Sequence, residues 1–148
     1  MIFMPNESTA SFVDTNILIY AVDLDAGERH IRAKELVTRA FDGKEKLAVS
    51  NQILAEFGNV LLTKYEQSPP KKDIIQFIDS ILTSKHWLKV TYSPNAVRET
   101  IERFDESLPY WDHIIAQTMK ENGIMHIYTE NTKDFEKIKG IKAVNPFK

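Results

Sequence analysis

Four carboxylates stand where a folded chain has little use for an ordinary surface acid, and all four could join in one kind of chemistry. Asp14 closes the short β-forming pair Phe12–Val13 and precedes the helix-capping types Thr15 and Asn16, so it is expected at the carboxyl end of a first strand. Glu56 falls on the border of a helical stripe made by Ile53, Phe57 and Val60, rather than on the far polar face. Asp112 lies in the first turn of a helix beside the Trp111, Ile115 and Met119 stripe, with small Ala116 one turn on. Asp134 follows the carboxyl end of a strand, in a loop that also carries Glu130 and Asn131. Each has a plain structural role open to it: Asp14 and Asp134 as caps, Asp112 as a helix-dipole partner, Glu56 as a solvated residue. Two acids after strands and two near helix starts on the same sheet edge make a shared pocket the more economical account. Carboxylates gathered in one pocket repel and raise one another's pKa unless cations lie between them, and hard oxygen donors suit Mg²⁺ or Mn²⁺.

The elements that must place them follow from periodicity. After the first helix, Asp25 with Glu28 has the form of a capping box, and Ile31, Ala33, Leu36, Val37, Ala40 and Phe41 keep helical spacing up to Gly43. Lys46–Ser50 reads as a second strand and Trp87–Thr91 as a third. Between them lie a helix with Ile53, Leu54, Phe57, Val60 and Leu61 inward and, past Pro69 and Pro70, another with Ile74, Ile75, Ile78, Ile81 and Leu82. Ser93–Pro94 starts a helix bearing Val97, Ile101 and Phe104; Pro109 starts one with Trp111, Ile114, Ile115 and Met119 inward, ending at Gly123. Ile124–Tyr128 is a fourth strand, followed by a helical turn near Phe135–Ile138 and a last strand near Lys142–Val144. Strands alternating with helices of this length call for parallel pairing: an α/β fold, a three-layer α/β/α sandwich with a small parallel sheet. At 148 residues one domain, 1–148, is expected.

Composition narrows the chemistry further. With 43% hydrophobic and 27% charged residues the chain is an ordinary globular one. Absence of cysteine removes disulfides, thiolate nucleophiles and Cys-ligated zinc. The opening MIFMPNES has neither a basic segment nor a sustained apolar core, which points to a cytoplasmic protein. A net charge of −2 does not advertise a polyanion binder, so any such partner would need bound cations and local lysines.

The segments VDTNILIY, QILAEFGNVL, LPYWDHIIAQTMKENG, IYTENTKDFEKI and AVNPF, in that order and spacing, together resemble the PIN-domain family, in its VapC-type toxin (ribonuclease) branch. The resemblance implies a quartet of acids holding divalent metal and hydrolysing RNA phosphodiester bonds, carried over onto Asp14, Glu56, Asp112 and Asp134. It makes Asp14 and Asp112 the principal ligands and Asn16 and Asn131 supporting polar groups. Some members carry the fourth acid at the position of Asn131, which leaves Asp134 and Glu130 as alternatives here. It also implies a homodimer and a small antitoxin partner. A PIN nuclease of RNA maturation or DNA flaps, and a non-catalytic PIN binding module, are the competing readings.

Other catalytic patterns fit poorly. Asn16 stands where a dehalogenase-like phosphatase needs a second Asp, and Thr91 and Tyr92 stand where a receiver domain needs a phosphoacceptor. His30, His86, His113 and His126 form no helix-spaced ligand pair. Lys44, Lys46, Lys64, Lys71, Lys72, Lys85 and Lys89 read as scattered solvating charges, with local positive potential as the alternative. Phe12, Tyr20, Trp87, Trp111 and Phe135 read as core rather than base-stacking residues; Tyr110 and Tyr128 are left open.

Overall fold

Phe12 and Val13 are fully buried, as are Leu47, Ala48 and Val49, so neighbouring residues pointing to opposite sides of a strand are equally covered. That pattern requires helices on both faces of the sheet. The structure, a computed structural model, describes residues 10–148, and the reading of Met1–Ser8 lies outside the described residues. Five strands, β1 (Ser11–Val13), β2 (Leu47–Ser50), β3 (Leu88–Val90), β4 (His126–Tyr128) and β5 (Lys142–Val144), pair in parallel in the order β3-β2-β1-β4-β5. The α/β sandwich expected from the pattern is the one found. No described helix is long and apolar enough to cross a membrane.

Among the described residues, seven helices connect or flank the strands: α1 (Thr15–Val22), α2 (Glu28–Phe41), α3 (Asn51–Thr63), α4 (Lys71–Thr83), α5 (Pro94–Arg103), α6 (Tyr110–Glu121) and the short α7 (Thr132–Phe135). Ser50 and Ser93 cap α3 and α5, accepting from Ile53 N at 3.2 Å and Ala96 N at 3.1 Å. The chain leaves β1 for β2 on one side, while β4 returns to its other side. The order therefore reverses at the β1/β4 seam, and in open parallel sheets the crevice at the carboxyl ends of such strands is where ligands sit.

Several sequence expectations are corrected. Asp25 does not cap α2; Gly27, at φ 63°, holds that place without a side-chain bond, while the Asp25 N–H turns back to Asp23. Ile31, Ile75 and Leu82 are exposed. On α5 the inward face is Ala96 and Thr100, whose small side chains let α5 lie close to α6, and Ile101 and Phe104 turn out to 64% and 45% exposure. Trp111 is 53% exposed, whereas Trp87 is buried. The helical period is respected in α6, where Ile114, Ile115 and Met119 are buried, but Trp111 in its first turn is left uncovered.

Candidate active site

Asp14 is both cap and site residue, because strand β1 ends directly where α1 begins. Its carboxylate accepts from Thr15 N at 2.8 Å, Asn16 Nδ2 at 3.3 Å and, across the seam, Thr129 Oγ1 at 2.7 Å. The backbone repeats that crossing, the Asp14 N–H donating to Tyr128 O at 3.0 Å. Burial pushes the Asp14 carboxyl above its ordinary 3.8, the donors from Thr129, Thr15 and Asn16 pull it down, and the charge of Glu56 pushes it up again.

Glu56 reaches the same place from α3. Its Oε2 accepts from Thr15 Oγ1 at 2.9 Å, one residue beyond Asp14, and its Oε1 accepts from Gln52 Nε2 at 2.9 Å. The Gln52 amide also donates to Trp111 O at 3.0 Å, tying α3 to the first turn of α6. Gln52 is only 6% exposed, and its Oε1 is buried without a partner.

Asp112 carries the strongest sign that the acids share a space. Its carboxyl is pushed up to about 7, first by burial, then by the charges of Asp14, Glu56 and Asp134, and no donor offsets them. Asp134 takes a hydrogen bond from Asn131 Nδ2 at 2.8 Å and pairs with Lys137 Nζ at 3.5 Å. Glu130 faces away from this interaction. Burial acts to raise it, but Arg29 Nε at 2.6 Å and the Tyr20 hydroxyl at 2.7 Å hold it below the usual carboxylate range. Its backbone N–H donates to Asn16 Oδ1 at 3.4 Å, so Asn16 links the Glu130 loop to Asp14.

Asp112 thus feels the other three acids, and Asp14 feels Glu56, at the carboxyl edge, with an oxygen-only donor set suited to a hard divalent cation. Among the described residues, no three His, Cys, Asp or Glu side chains already converge as a metal-holding group. Asp14, Asn16, Glu56, Asn59 and Lys64 border a groove of about 430 Å³ that gives access to this edge. Lys64 is the one lysine singled out from the sequence that lines it; Lys89 instead donates to the Ser84 and Ile81 carbonyls at the end of α4. His30 and His113 bond to backbone carbonyls, of Tyr20 and Asp105.

The sequence reading missed Thr15, Gln52 and Thr129 as the donors that orient the acids. Thr129 had a legible signal, since it follows β4 as Asp14 follows β1; Gln52 had only its place one turn before Glu56. Replacing Thr129 with Val keeps the shape and removes the donor. Thr129→Val is expected to raise the Asp14 pKa further and to lower stability at pH 8 by about 1 to 2 kcal/mol. Chemical denaturation with an NMR titration of the carboxyl checks both; an unchanged Asp14 pKa would contradict the assigned bond.

The sequence matches the PIN domain family across residues 11–141. No match was found among curated protein sequences. Among solved structures, the fold is similar to VapC20 of Mycobacterium tuberculosis, a toxin that cleaves the sarcin–ricin loop, with TM-score 0.63 and 19% identity over 83% of this chain and 91% of that one. It is also similar to a chain of the DNA-bound VapBC2 of Rickettsia felis, with TM-score 0.62 and 20% identity over 92% and 98%. A chain of a toxin–antitoxin complex from Klebsiella pneumoniae gives TM-score 0.57 and 26% identity over 92% and 97%.

Proposed function

Because the chain belongs to the PIN-domain family, we propose that it is a divalent-metal-dependent endoribonuclease and the toxin of a type II toxin–antitoxin pair. The observation that carries the reading is Asp112, a half-buried carboxyl pressed by Asp14, Glu56 and Asp134 with no cationic side chain to relieve it. That arrangement is unfavourable for a purely structural cluster and suited to gripping a cation.

Asp14 and Asp112 are the principal ligands of this proposal, Glu56 and Asp134 complete the set, and Asn16 fixes the Asp14 carboxylate. Mg²⁺ or Mn²⁺, when bound, supplies charge to the scissile phosphate and a water acidified toward neutrality, so no side-chain nucleophile is needed. Thr15, Gln52 and Thr129 hold the acids in place. Lys64, at the groove wall, favours entry of the phosphate backbone. Asp134 serves as the fourth acid rather than Glu130, whose two oxygens are engaged by Arg29 and Tyr20. The chain works as one cytoplasmic domain, forms a homodimer, and is held inactive by a small antitoxin, as the toxin–antitoxin complexes among its structural neighbours suggest.

The test joins chemistry to consequence. Purified protein is expected to cut single-stranded RNA with Mg²⁺ or Mn²⁺ and to stop when EDTA removes the ion. Expressed alone, the wild-type chain arrests growth of a host cell and the Asp14→Asn chain does not. Growth arrest by both chains without metal-dependent cleavage by either would replace the nuclease with a binding module.

A further inference from the structure

The exposed indole of Trp111 stands at a cleft of about 460 Å³ that shares its wall with the acids: Glu56 lines it, together with Asn51, Gln52, Asn59, Tyr92 and Trp111. Glu56 and Asn59 also border the groove that holds Asp14, so the two hollows meet along one face of α3. We propose that this cleft receives a nucleobase of the RNA strand, stacked on Trp111, while the adjoining phosphate lies over the carboxylates. The proposal deepens the endoribonuclease reading and rests on it for the identity of the strand.

The chemistry of the walls selects the uncharged part of a nucleotide. No lysine or arginine lines this cleft, and Glu56 repels an anion, so a phosphate has no place in it. An indole offers every base a π-face, and the Asn51 and Asn59 carboxamides carry donors and acceptors for base edges. Single-stranded RNA is recognised in this way, by bases splayed onto aromatic side chains and read along their edges.

Trp111 is also held as a platform should be. Gln52 fixes its backbone through the bond to its carbonyl, and Tyr110 meets its ring edge-to-face at 5.5 Å between centroids and 89° between planes. The same Gln52 amide grips Glu56, so one side chain sets both the platform and an acid of the site. Gln52 does this while leaving its own Oε1 buried and unpartnered, an unfavourable arrangement that a role in substrate placement explains.

Fluorescence separates this cleft from the catalytic reading. Of the two tryptophans, Trp87 is buried and serves as the internal reference. With Mg²⁺ and short tetraribonucleotides, the Asp14→Asn protein is expected to show saturable quenching that disappears in Asp14→Asn/Trp111→Leu. In the otherwise wild-type enzyme, Trp111→Leu is expected to lower kcat/KM for RNA by about tenfold or more, chiefly through KM, and Trp111→Phe to recover most of it. Cleavage by the wild type with no quenching, or an unchanged KM in Trp111→Leu, overturns the proposal. A Trp111→Leu protein altered only in oligomeric state assigns the surface to a protein contact and overturns it equally. Quenching without RNA cleavage by the wild type supports the base cleft while removing the endoribonuclease reading.

Discussion

Asp112→Asn is expected to lower metal-dependent RNA cleavage by about a thousandfold or more, while the metal-free protein becomes slightly more stable at pH 8. The two effects share a cause. In the folded protein the Asp112 carboxyl is pushed up to about 7 by burial and by Asp14, Glu56 and Asp134, against an ordinary value of 3.8. The folded state therefore holds the proton more tightly than the unfolded chain does. As pH rises from about 4 to about 7 the unfolded chain loses that proton first, and wild-type stability falls over this window before levelling off. The neutral amide does not titrate. Its advantage is accordingly near zero at pH 4, grows toward pH 7 and is constant above, at about 1 kcal/mol once solvent screening of this half-buried group is allowed for. Denaturant midpoints at pH 4.5 and pH 8 in EDTA, beside RNA cleavage with Mg²⁺, check the sign. A variant destabilised at both pH values would make Asp112 a structural residue.

Asp14 separates charge from capping. Asp14→Asn keeps a good N-cap for α1 and a partner for Thr129, so it is expected to lose about a thousandfold or more in cleavage with little change in stability. Asp14→Ala loses the cap and leaves the buried Thr129 hydroxyl, which still accepts from Asn131 N, without an acceptor for its own proton. It is expected to cost about 2 to 3 kcal/mol in addition to the same loss of activity. Equal activity in wild type and the Asn variant would leave Asp14 only its capping role.

What could be read in the sequence was whatever depends on local order. Phe12–Val13 followed by Asp14, the Ser93–Pro94 start and the runs of apolar residues at strand or helix spacing are short-range signals, and they gave the parallel α/β sheet and the acids at its edge. Periodicity failed where burial depends on what lies opposite. Ile101 and Phe104 have the right spacing for a core stripe, but α6 approaches the Ala96–Thr100 face. Trp111 fits the α6 stripe, yet in the first turn nothing buries it. The partners of Glu130 were equally closed to one-dimensional reading, because Arg29 and Tyr20 lie about a hundred residues from it in the chain. Gln52 carries no motif; its role comes from one amide touching two helices.

The bond from Thr129 to Asp14 spans 115 residues of chain. Synthesis runs from the amino end, so Asp14 and Glu56 leave the ribosome long before α6, β4 and α7, which carry or adjoin Asp112, Thr129 and Asp134. A growing chain halted short of β4 has its first acids and no edge to set them against. On the endoribonuclease reading proposed above, the seam acts as a timer: hazard begins only after β4 has been made and docked beside β1, which gives an inhibitor already folded nearby the first encounter.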